Sequence, residues 1–146
     1  MLTSRAMKWL VAGIFLGVPL FAAAQTPDAP QPVATMKRLM LDVIHPASNS
    51  LLLLIHRGGP SDDKEWTEAR RSAIILAESG NLLMIRNRVA AWSADAKLLT
   101  DSGAAAYKAA EAKDVKALTA SADRIDASCT TCHKHWRPNV FPESRH

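Results

Sequence analysis

The sequence predicts an all-α fold, an antiparallel up-down-up-down four-helix bundle. Three observations carry that reading. Apolar and small residues recur in four blocks at alternating steps of three and four, the period of helices packed at a shallow angle. None of the blocks shows sustained strand alternation. The breaks between blocks are short, which makes consecutive helices antiparallel neighbours.

Ahead of the bundle lies a segment of different character. Arg5 and Lys8 precede the apolar run "WLVAGIFLGVPLF", and "AAAQ" supplies small residues for cleavage. That is the grammar of a secretory signal peptide. The run has 13 residues, short of the roughly 20 that cross a bilayer. Residues 1–24 are therefore read as a signal peptide, cleaved after Ala24, and the expected location is the periplasm. Residues 25–34, "QTPDAPQPVA", are rich in proline and polar side chains and read as a tether. The domain is expected over 35–140, with 141–146 as a tail.

Block one runs from about Ala34 to His56, with the stripe Met36, Met40, Val43, Ala47, Ser50, Leu54. Pro46 falls inside it, removes a hydrogen bond to the Asp42 carbonyl and should kink the helix. Block two runs from about Asp62 to Met84, with Trp66, Ala69, Ala73, Leu76, Gly80, Leu83. Block three runs from about Arg88 to Ala112, with Val89, Trp92, Ala96, Leu99, Gly103, Ala106, Ala110. Block four runs from about Asp114 to Arg137, with Val115, Leu118, Ala122, Ile125, Cys129, Cys132, Trp136. Ser61 or Asp62 can cap the second helix and Asp114 the fourth. The many small stripe residues allow close helix approach and leave volume for a large bound group.

Charge narrows the partners. Loss of Arg5 and Lys8 leaves 16 basic against 14 acidic residues, so the formal charge falls from +4 to +2. A charge this small gives no argument for nucleic acid. With the signal removed, no stable membrane span is expected.

The only two cysteines stand in "CTTCH", residues 129–133. A disulfide between them would close a very small loop and constrain little chain entropy. A thioredoxin-like dithiol needs a βαβ context, which is absent here. A zinc clip of Cys129, Cys132 and His133, perhaps with His135, has cramped spacing. On a helix, Cys129, Cys132 and His133 face one flat object. C-x-x-C-H is the attachment motif of c-type haem. The thiols of Cys129 and Cys132 form thioethers to the haem vinyl groups, and His133 becomes the proximal iron ligand. One covalent haem c with its iron is the expected cofactor.

With these residues in place the chain resembles the cytochrome c′ and cytochrome c-556 family of exported four-helix haem proteins. Besides "CTTCHKHWR", the stretch "AWSADAKLLTDSG" is similar to that family's tryptophan-led helix, and "AAEAKDVKALTASADRIDASC" to its final helix. The resemblance spans nearly the whole mature chain. It implies a haem near the C-terminal helix, redox partner proteins in the periplasm, and room for a homodimer through the first two helices.

The resemblance also frames the sixth iron ligand. In the c-556 type a methionine of the first helix fills it; in the c′ type the site is open and small gases such as nitric oxide bind. "RLM" ending at Met40 resembles the "KLM" of the c-556 type, so Met40 is the expected distal ligand. Met36, one turn earlier, is its rival, and an open distal site and another ligand remain alternatives. His45 points to a different side, and His56, His135 and His146 are expected to be solvated. Lys134 and Arg137 suit haem propionates, a docking surface or solvent. Trp136, and Trp92 with it, is expected to pack against the haem. The expected function is single-electron transfer rather than enzymatic catalysis, since no acid–base pair or nucleophile accompanies the motif.

Overall fold

The computed structural model describes residues 31–86 and 89–137. Four helices form there: α1 (Met36–His56), α2 (Asp63–Arg86), α3 (Ala90–Glu111) and α4 (Val115–Trp136). The signal segment 1–24, the first part of the tether and the tail 141–146 lie outside the described residues. Residues 31–34 of the tether are exposed and non-helical.

Three of the four helices start where a side chain satisfies a first-turn amide, and α3 starts at Val89 without one. Thr35 Oγ1 accepts from the Arg38 amide at 3.2 Å. Asp62 Oδ1 accepts from the Glu65 amide at 2.8 Å, while Glu65 Oε2 accepts from both the amide and the hydroxyl of Ser61. Asp114 Oδ1 accepts from the Ala117 amide at 3.0 Å. The end of α1 needs glycine: Gly58 and Gly59 have φ of +107° and +94°, a region that L side chains rarely enter. A Cβ on Gly59 would stand 2.9 Å from Val115 Cγ1, so the α1–α2 turn also seats the start of α4.

Inter-helix contacts pair low numbers on one helix with high numbers on the next, as antiparallel packing requires. Ser50 donates to Glu68 and Arg86 to the Ala34 carbonyl between the first two. Trp92 Nε1 donates to the Leu83 carbonyl between α2 and α3. The α2–α3 contact is the most extensive, followed by α3–α4, and α4 closes onto α1.

The stripes of the three later helices are buried as their spacing predicts: Trp66 to Leu83, Trp92 to Ala110, and Leu118, Ala122 and Ile125. Their flanking members Val89 and Val115 are exposed. Leu51, Leu76, Leu118 and Ile125 are fully buried, each contributing about 1.5–3 kcal/mol of apolar transfer energy.

The first helix departs from expectation. Its core residues are Leu39, Ile44, Ala47, Leu51 and Leu54, while Val43 is 38% exposed. The cause is a π-helical turn over Met40–Ile44, in which the His45 amide bonds the Met40 carbonyl. One extra residue per turn rotates the face, so Ile44 replaces Val43. The same turn takes the place of the simple kink expected at Pro46. It shifts the carbonyls ahead of the ring out of α register, and the helix runs on to His56. By length and composition α1 would also pass for a membrane span; in this fold its buried side is bundle core.

Small residues give the close helix approach expected of them, and one of them, Ala96, lines a cavity. Ala69, Ala73, Ala106 and Ala110 are fully buried in the interface itself. A Cβ on Gly103 would meet Ala77 N at 2.5 Å and Ala77 Cα at 2.9 Å. The absent side chains are taken up by close backbone approach.

Candidate functional site

The motif sits where α4 leaves the tight part of the bundle. Ile125 is fully buried, Cys129 and Cys132 are partly buried, and Arg137 is exposed. A small cavity of about 40 Å³ opens at that level. Cys129, Cys132 and His133 line it from α4, together with Ser128. Met40 and Ile44 line it from α1, Leu83 from α2, and Asp95, Ala96 and Leu99 from α3.

Met40 and the motif thus share one cavity although 89 positions separate Met40 from Cys129. The π turn begins at Met40 and brings both it and Ile44 to the lining. Met36 packs against the core outside that lining. His45 and His56 are exposed, as expected. His146 lies outside the described residues.

A larger, open groove of about 740 Å³ runs between α1 and α2. It carries no thiol or imidazole, and four of its charges form two ion pairs: Arg57 with Glu65 at 3.7 Å and Arg71 with Glu68 at 3.3 Å. It is a solvated groove, and the smaller cavity holds the chemistry.

Burial sets the protonation of the donors. It pushes the Cys132 thiol up to about 11, with the Asp95 carboxylate adding to the effect. Burial likewise raises Cys129. Protonated thiols are poor redox nucleophiles and poor zinc ligands, both of which need the thiolate. For His133, burial lowers the pKa and the Arg137 charge lowers it further, which favours the neutral ring. The donor set fits covalently attached haem: two thiols one turn apart, a neutral imidazole beside them, a thioether from another helix, and mostly apolar side chains between.

One expectation needs correction. His135 is not simply solvated: its Nδ1 lies 2.7 Å from Asp95 Oδ2. Trp136 is 37% exposed. Its ring meets Trp92 edge-on, with centroids 5.1 Å apart, and its Nε1 donates to the same Asp95 oxygen at 2.9 Å. Trp92 is buried as expected. Lys134 and Arg137 are exposed.

Asp95 is the site residue that sequence reasoning missed. It is only 8% exposed and lies between Trp92 and Ala96 of the stripe. An acid three residues after a stripe tryptophan, on a helix face otherwise apolar, was the available signal. No family model matches the chain, and no curated protein or solved structure matches it significantly.

Proposed function

We propose that this protein is an exported c-type cytochrome that carries single electrons. The observation that carries the reading is the meeting of Met40 with Cys129, Cys132 and His133 at one cavity. Cys129 and Cys132 would hold the haem by thioethers, and His133 and Met40 would ligate its iron. When bound, the haem supplies the one-electron chemistry, and a histidine–methionine pair raises its reduction potential.

The chain's own residues would do the rest. Cys129 and Cys132 anchor the group without needing a thiolate at rest. His133 offers a neutral nitrogen and Met40 an uncharged sulfur. Ile44, Leu83 and Leu99, which line the cavity, would keep water from the bound group. The partners on this reading are periplasmic redox proteins, with a homodimer through α1 and α2 as an option that the family resemblance brings.

The test is the visible spectrum of wild type and Met40→Leu in both redox states. A low-spin wild type that becomes high-spin in the variant is the expected result. A wild type already high-spin would instead support a five-coordinate c′-type protein binding small gases. The apolar lining beside Met40 suits that second reading, since no hydrogen-bonding side chain from α1 reaches the cavity.

A further inference from the structure

The last turn of α4 carries His133, and helix ends fray because their final carbonyls lack partners. Here that turn is tied down from α3. Asp95 Oδ2 receives two contacts, from Trp136 Nε1 at 2.9 Å and from His135 Nδ1 at 2.7 Å. The donors stand two and three residues beyond His133. Asp95 is 8% exposed and itself lines the cavity. Behind it, Trp136 rests edge-on against Trp92, and Trp92 is fixed to α2 through the Leu83 carbonyl at 2.7 Å. Leu83 also lines the cavity. A tie therefore runs from α2 through α3 to the residues just after the motif.

We propose that Asp95 is a positioning residue for this site, holding the His133-bearing turn so that the imidazole is presented to the haem at a fixed angle. It acts through Trp136 and His135 and donates no ligand. A buried charge-assisted pair of contacts suits such a role, because each bond is short and directional. A carboxylate that served only the fold would not need both donors from the turn that bears the ligand.

The inference rests on the haem reading above, so its test separates the two. Holoprotein is made as wild type, Asp95→Ala and Asp95→Asn, and covalent haem is counted by pyridine haemochrome. Backbone amide exchange is then followed over residues 133–137 and over 118–125, and the spectrum is recorded in both redox states. Asp95→Ala should exchange at least tenfold faster at the Arg137 amide, which bonds the His133 carbonyl at 2.8 Å, with 118–125 unchanged. The haem spectrum should broaden or gain a high-spin fraction. Asp95→Asn keeps an acceptor oxygen and should restore most of both signals. A haem-bearing Asp95→Ala protein with wild-type exchange and spectrum would overturn the positioning role while leaving the haem reading intact. Absence of covalent haem in the wild type would overturn the haem reading itself and this role with it. Uniformly faster exchange across α4 would assign Asp95 to global stability and also overturn the proposal.

Discussion

The α2–α3 interface and the motif end of the bundle are built from opposite materials. At the interface, Ala69, Ala73, Gly80, Gly103, Ala106 and Ala110 bring two backbones together until a single added methyl would collide. At the motif end, a π turn in α1 and the partly buried last turns of α4 keep a cavity between helices. The contrast teaches that small residues alone do not make a binding site. Where two facing helices are both small, they close up. A cavity survives where larger residues such as Met40, Leu83 and Leu99 hold the helices apart and the backbone leaves α register.

The largest expected effect is at the motif end. Replacing both Cys129 and Cys132 with serine should reduce covalent haem, measured by pyridine haemochrome, to background. Retained haem in the double variant would break the anchor reading. A second effect concerns the same thiols in chain made without haem attachment. Raising Cys132 from its ordinary value of 9.0 to about 11 should slow its alkylation at pH 8 by about 100-fold relative to an unperturbed thiol. The rate should climb with pH toward 11. Fast alkylation at neutral pH would favour a redox dithiol instead.

The tight end makes a smaller and opposite prediction. Helix propensity favours Ala over Gly by about 1 kcal/mol. Overpacking at a backbone contact costs about 1–3 kcal/mol, and the Gly103 Cβ position faces Ala77 backbone atoms that cannot swing away. Gly103→Ala should therefore lower the Tm by several degrees. A raised Tm would show that the two helices can part cheaply and would erase the contrast drawn above.

The smallest effect lies at the connections. Hydrogen bonding and charge from Lys113 hold the Asp63 carboxyl below its ordinary 3.8. Bonds from Ser61 hold Glu65 below 4.5. A depressed carboxyl pKa gives stability that is full above the unfolded value and fades as pH falls through the folded one. Asp63 is exposed and Glu65 only partly covered, so the loss should be slight and confined to pH below about 4.5, and Asp63→Asn should flatten part of it. A marked loss between pH 5 and 7 would point to other groups, at the motif end.

Much of this was legible in the sequence because its signals are local. The four periods and the caps at Asp62 and Asp114 each depend on residues within a turn or two of one another. Cys129, Cys132 and His133 are legible for the same reason. α1 was misread between Val43 and Ile44, since an α period assumed throughout cannot reveal a π turn. The preference for Met40 over Met36 came from a three-residue likeness; the structure adds that only Met40 reaches the cavity.

The sequence by itself determined the helices, their order and the C-x-x-C-H motif, because propensity, spacing and short connections act along the chain. Only the tertiary structure decided which small residues close an interface and which neighbours keep a cavity. It also joined Asp95 to His135 and Trp136 across forty positions. Those outcomes depend on how helix faces distant in sequence meet in space, which local spacing does not specify.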